Sequence, residues 1–206
     1  MGLTGLGYCG FVLSHMAGNL LLLISAEAYN KYSHAIVSNK PLLYGAETAL
    51  VVMLLLHVIC AISVTLENRA ARPVSYALNA SGDKATSLAA RTMALTGLFI
   101  LAFLILHIVT FKYGEYYSAT YDGVEMRDLH RLVSEKFQSP LYTGWYLFCL
   151  ALLGLHISHG FSAAFQSLGI VGARHPKLRM TALGFAALIA CGFIVQPLFF
   201  FFGAHL

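Results

Sequence analysis

Five apolar runs, each of about twenty residues or more, constrain this 206-residue chain more than any other feature. They lie near 2–25, 42–65, 92–113, 140–166 and 180–203. Unpaired backbone is too costly in lipid for anything but helices or closed barrels, and these runs lack the alternation of barrel strands. Only 11% of the residues are charged, 58% are hydrophobic, and the mean hydropathy is +0.72. A soluble domain of this length needs far more charge on its surface. The expectation is an all-α integral membrane protein: one domain, 1–206, built as a bundle of five transmembrane helices.

Charge adds orientation. The stretch 66–91 carries Arg69, Arg72, Lys84 and Arg91 against Glu67 and Asp83, and 167–179 carries Arg174, Lys177 and Arg179 with no acid. Basic density in short loops marks the cytoplasmic side, which puts the N-terminus inside and the C-terminus outside. These loops also suit anionic headgroups. The net charge of +4 sits at the span edges, so no nucleic-acid site is read from it. Cys9, Cys60, Cys149 and Cys191 are scattered through apolar runs without metal spacing and read as packing residues.

The chain contains an internal repeat. "MGLTGLGYCGFVLSH" (Met1–His15) and "MALTGLFILAFLILH" (Met93–His107) share M-x-L-T-G-L and reach a histidine fourteen residues after the Met. Both helices run the same way, so His15 and His107 lie at equal depth, about 21 Å along each helix from its Met. A second match, "LLHVICAIS" (Leu55–Ser63) with "GLHISHGFS" (Gly154–Ser162), aligns His57 with His156 and sets Cys60 opposite His159. The spans therefore offer an outer pair, His15 and His107, and an inner pair, His57 and His156.

Polar, ionisable side chains inside a bilayer are expensive and usually functional. One buried histidine is commonly a packing residue. Four on four helices, matched as two pairs at two depths, fit two cofactors each clamped by two imidazoles. Structural zinc takes four ligands, often cysteine. Haem iron needs only two axial ligands from the protein. Two bis-histidine b-type haems are the economical reading, and the absence of CxxCH argues against covalent attachment. Gly5, Gly18, Ala61, Gly97 and Gly160, on the histidine-bearing helices, suit a flat macrocycle or ordinary close helix packing.

These strings resemble a known family: the five-helix, di-haem cytochrome b subunits of succinate:quinone oxidoreductases and quinol:fumarate reductases. The resemblance covers nearly the whole chain. Its most specific parts are H-x-x-G-N-L from His15, E-N-R-x-A-R-P from Glu67, and L-H-x-x-H-G-F-x-x-x-F-Q-x-L-G from Leu155. It implies a subunit of an oxidoreductase complex in a bacterial cytoplasmic membrane, with no dicarboxylate chemistry of its own. Flavoprotein and iron–sulfur subunits would sit on its cytoplasmic face, and a higher oligomer of the complex is compatible with this. Electrons would pass through the two haems between the iron–sulfur subunit and a quinone, with menaquinone the expected type. The resemblance assigns the proximal haem to His57 and His156, and the distal haem to His15 and His107. The family differs at two places. Its members usually carry a short basic segment before the first span, and some fumarate reductases carry a glutamate where this chain has Gly154.

Quinone chemistry needs hydrogen-bond partners for both carbonyls and a proton route. In "EAYNKYSHAIVSNK" (Glu27–Lys40), Asn30, Tyr32 and His34 are candidates, with Glu27 and Glu47 as proton carriers. The competing reading is a polar interfacial loop anchored by tyrosine. Arg91 is a candidate for an inner quinone site under the iron–sulfur subunit or for a haem propionate, and His159 for a propionate or a backbone carbonyl. "DGVEMRDLHRLVSEKF" (Asp122–Phe137) has apolar residues at helical spacing and is expected to be a surface helix with His130 exposed. His175 and His205 receive no role. The rival functional class is a transporter or channel using intramembrane histidines as proton or metal relays. Against it stand the parallel repeat and the scarcity of intramembrane acids. A hydrogenase-type or formate dehydrogenase-type cytochrome b would share the haems but not the quoted motifs.

Overall fold

The structure, a computed structural model, describes residues 1–71, 88–170 and 176–203. Arg72, Pro73, Asp83, Lys84, Arg174, His175 and His205 lie outside these residues. Helix α1 (Gly2–Asn19) continues as a 3-10 turn over Leu20–Leu23, followed by α2 (Ala26–Ser38) and α3 (Lys40–Ala70). After α4 (Leu88–Arg91) come α5 (Met93–Phe111), strands β1 (Ser118–Tyr121) and β2 (Val124–Arg127), α6 (Leu129–Phe137), α7 (Pro140–Ser167) and α8 (Pro176–Gly203).

Five helices are long and apolar enough to cross a membrane: Gly2–Leu23, Lys40–Ala70, Met93–Phe111, Pro140–Ser167 and Lys177–Gly203. The sequence-based spans correspond to these one for one. Their starts have local causes. Asn39 caps α3 by accepting from Leu42 N–H, and Ser139 caps α7 by accepting from Tyr142 N–H, each with a proline in the first turn. Within α8, Pro197 removes a ladder donor, and the Gln196 side chain donates to the Gly192 carbonyl at 2.9 Å.

The spans pack unequally. The closest pair is α7 and α8, where a Cβ built on Gly154 would lie 3.1 Å from that of Ala190. Met16, Ile157, Ala186 and Ile189 form one buried cluster between α1, α7 and α8. Helix α3 is different, since none of its 31 residues is buried. It is held by specific contacts: Tyr8 Oη donates to the Leu50 carbonyl at 2.6 Å, and Lys112 pairs with Glu47 at 2.5 Å. In α5 only Thr96 is buried.

One end of the bundle carries a folded cap, and here the structure corrects the sequence reading. The segment Glu27–Lys40, read as a loop, is largely helix α2, started by Ser25 accepting from Ala28 N–H. The expected surface helix over Asp122–Phe137 is instead a hairpin followed by a shorter helix. Asp122 (φ 52°) and Gly123 (φ 77°) make the two-residue turn, and Ala119 faces Met126 across an antiparallel pair. Asp128 then caps α6 by accepting from Arg131 N–H. His130 is not fully exposed: its ring meets Phe200 edge-on at 5.2 Å, and Nε2 lies 3.3 Å from the Leu22 carbonyl. Leu22, Tyr29, Val133, Phe137, Tyr146 and Phe200 form the buried cluster beneath the cap. Arg127 anchors the cap to α5 by donating to the carbonyls of Phe111, Lys112, Gly114 and Glu115. Burial lowers the pKa of this guanidinium from its ordinary value. A fold expected to be wholly helical thus includes a two-stranded hairpin outside the spans.

Candidate functional site: two imidazole pairs within the bundle

The four repeat-matched histidines meet in two pairs. The His15 and His107 rings, from α1 and α5, have centroids 5.9 Å apart at an interplanar angle of 85°. The His57 and His156 rings, from α3 and α7, are 6.5 Å apart at 58°. Thr4 and Thr96 touch His57 and His156, and each lies eleven residues before the His15 or His107 of its own helix. Along each helix that spacing is about 16 Å, so the pairs occupy two levels. His15 and His107 form the cap-side pair, and His57 and His156 the far pair.

Each far-pair ring makes the same two contacts, one with a threonine and one with a glycine. Thr4 Oγ1 lies 3.1 Å from His57 Nδ1, and Thr96 Oγ1 lies 3.1 Å from His156 Nδ1. A Cβ on Gly5 would be 3.8 Å from His57 Cε1, and one on Gly97 would be 3.5 Å from His156 Cε1. The Thr-Gly step of each repeat copy is therefore the wall against which an imidazole rests.

The cap-side pair is enclosed by aromatic rings. His15 stacks on Phe11 at 5.3 Å and meets Phe193 at 5.9 Å. His107 has Phe103 at 5.8 Å and Phe111 at 5.4 Å. Tyr146 Oη is 3.1 Å from His107 Nδ1 and accepts from Tyr142 Oη at 3.1 Å. The H-x-x-G-N-L motif now has physical content. Asn19 Nδ2 donates to the His15 carbonyl at 2.7 Å, and Asn19 Oδ1 accepts from Tyr29 Oη at 3.1 Å. Burial raises the Tyr29 pKa above its ordinary value. Gly18 is where the Tyr32 ring crosses α1, and any Cβ there would collide with that ring. Sequence reasoning gave no role to Thr4, Thr96, Tyr146 or Asn19. The repeat itself held the signal for the first two, because the threonine recurs in both copies.

The other candidates scatter over the cap and the far end. Asn30 is fully buried: its Nδ2 donates to Asp128 Oδ1 at 2.8 Å and to Tyr121 Oη at 3.4 Å, and its Oδ1 accepts from His130 N–H at 3.0 Å. Tyr32 is 38% exposed, and His34 is half-buried on α2. Lys31 bridges Glu27 and Asp122, and these contacts, with Asp122 the stronger, raise its pKa. Glu47 is taken up by Lys112, whose pKa the bond raises. Arg91 is exposed at the end of α4, and His159 is half-buried one turn beyond His156.

Among the described residues no group of three or more His, Cys, Asp or Glu side chains could hold an ion. A four-ligand structural zinc site is therefore not formed by them. Two imidazoles on opposite sides of one metal, with bonds of about 2.0–2.1 Å, place ring centroids about 6.4 Å apart. The far pair, at 6.5 Å, matches that spacing, and the cap-side pair, at 5.9 Å, falls slightly inside it. A metal that asks the protein for two ligands fits these residues.

No protein-family model, curated protein or solved structure matches this chain. The fold itself defines a predominantly α-helical, multi-pass membrane protein.

Proposed function

We propose that the chain is a di-haem cytochrome b anchor subunit of the succinate:quinone oxidoreductase and quinol:fumarate reductase type. The observation that carries this reading is the pairing of His15 with His107 and of His57 with His156, with the far pair at the spacing of two imidazoles on one metal and the cap-side pair slightly inside it. The sequence motifs quoted above supply the family. His57 and His156 would hold the proximal haem, and His15 and His107 the distal one. The haems supply reversible one-electron chemistry. The chain's own part is to hold four imidazoles at fixed angles, to keep water from them with Phe11, Phe103, Phe111 and Phe193, and to provide hydrogen bonds at the ring nitrogens.

In this reading the far end faces the cytoplasm of a bacterium and docks the iron–sulfur and flavoprotein subunits. The capped end faces outward. A quinone, menaquinone in this reading, exchanges electrons near it, with Tyr32, His34, Glu27 and Glu47 as the nearest polar groups of the earlier candidate set. Asn30 is better placed as a structural link, because its amide already has three partners.

The test is a reduced-minus-oxidised visible spectrum of the purified complex, with a pyridine haemochrome count. Two b haems per chain are expected. A folded, fully assembled complex without haem would overturn the proposal and direct attention to proton and metal transport.

A further inference from the structure

We infer that Thr4 and Thr96 are positioning residues that set the tautomer of His57 and His156, leaving each Nε2 lone pair free for the cofactor iron; this rests on the di-haem reading. The argument is a count of protons. A threonine hydroxyl has one hydrogen to give, and a backbone carbonyl can only accept. Thr4 Oγ1 donates to the Met1 carbonyl at 2.9 Å. Thr96 Oγ1 donates to the carbonyls of Thr92 and Met93, at 3.0 and 3.1 Å. Each hydroxyl proton is thus committed to its own helix. With the hydroxyl protons so placed, the hydrogen in the 3.1 Å contact with each imidazole comes from Nδ1, and the threonine oxygen accepts. A neutral imidazole protonated at Nδ1 has its lone pair at Nε2.

The glycines complete the placement. Round an imidazole the atoms run Nδ1, Cε1, Nε2. Thr4 holds Nδ1 and Gly5 lies against Cε1 of His57, while Thr96 and Gly97 do the same for His156. The next atom round each ring is the one left for a ligand bond. The same two-residue device occurs twice, on different helices, which a chance polar contact does not explain.

An N–H donated to an acceptor makes an imidazole a more basic ligand, which favours the more highly charged ferric state. Removing the acceptor should raise the reduction potential of that haem alone. In the assembled complex, Thr4→Val and Thr96→Val, singly and together, keep the side-chain shape and delete the hydroxyl, while Thr4→Ser and Thr96→Ser keep it. Redox titration and electron paramagnetic resonance of the ferric haems read both sites in one sample. The far-pair haem is identified by its loss in His57→Ala.

The expected result is an upward shift and altered resonance of that haem in the valine variants, largest in the double variant. The other haem stays put and the serine variants behave as wild type. Loss of the far-pair haem in the valine variants with retention in the serine variants supports the inference equally. An unmoved potential in the double valine variant with both haems bound overturns it, as does an equal shift of both haems or loss of the haem in the serine variants. A wild-type complex without haem overturns the di-haem reading and this inference with it, so the two failures are told apart.

Discussion

The imidazoles of His15 and His107 meet nearly at right angles, 5.9 Å between centroids, although 92 positions separate them in sequence. The His57 and His156 rings meet by the same logic at the other level. On the proposed di-haem reading, each of His15→Ala, His57→Ala, His107→Ala and His156→Ala should remove one haem and spare the other. His15→Ala and His107→Ala should lose the same haem, and the other two variants the remaining one. Haemochrome counts and difference spectra of the four complexes check this, and an unchanged stoichiometry of two in any of them refutes that residue's assignment.

Tyr146 tests the enclosure of the cap-side pair. Its hydroxyl accepts from Tyr142 and lies on His107 Nδ1, inside the aromatic cluster below the cap. Tyr146→Phe leaves both neighbours without that partner in a buried setting, a loss of about 1–3 kcal/mol. Thermal unfolding in detergent should show the lowered stability, and the redox titration should move only the haem proposed for His15 and His107.

Asn30 separates a structural role from a quinone role. Substituting alanine strands the His130 N–H and removes a donor from Asp128, with an expected cost of about 1–3 kcal/mol. The measurement is hydrogen exchange over α2 and α6 alongside quinone KM. Faster exchange with an unchanged KM is expected, and a raised KM with unchanged exchange would return Asn30 to the quinone site.

The cap should respond to acid through Glu135. Arg131 donates to this carboxylate at 2.8 Å and Tyr117 Oη at 2.7 Å, and these bonds, Arg131 first, depress its pKa below the ordinary 4.5. A carboxylate with a depressed folded pKa stabilises fully above its unfolded value and loses that contribution as pH falls through the folded one. Tyr117, pushed up to about 12 chiefly by the same bond, acts in the opposite sense, and its contribution fades only in strong alkali. Hydrogen exchange at α6 should therefore rise below about pH 4.5 in wild type, and Glu135→Gln should flatten that dependence.

Spans and histidine pairs were legible because both are written in local pattern. Apolar length marks a membrane helix, and the M-x-L-T-G-L and L-H strings place imidazoles by spacing alone. The cap was not legible in the same way. Val124, Met126, Leu129, Val133 and Phe137 fit a helical period, but Asp122 and Gly123 take positive φ and turn the chain into a hairpin first. The Asp-Gly dipeptide was the signal that should have outranked the period. Asn30 resembled a ligand because it is polar in a loop-like stretch. Only the return of Tyr121, Asp128 and His130, ninety to a hundred residues later, gives its amide three structural partners. Glu47 and Lys112 likewise find each other only across the fold.

The duplicated Thr-Gly wall has a consequence for how the molecule comes together. Helices α1 and α3 carry one half of the repeat, α5 and α7 the other. His57 meets His156 and His15 meets His107, each pair taking one ring from each half, so every pair is shared and neither half owns a complete one. Shared sites of this kind are what two copies of one unit build across a dimer interface. Whatever parts the halves opens both sites together, whereas a lesion at one threonine stays on its own level. The halves differ around these rings: ten residues before His156 stands Tyr146, bonded to an imidazole, and ten before His57 stands Glu47, bonded to Lys112. The two halves thus repeat the Thr-Gly wall and the paired imidazoles but not the chemistry that surrounds them.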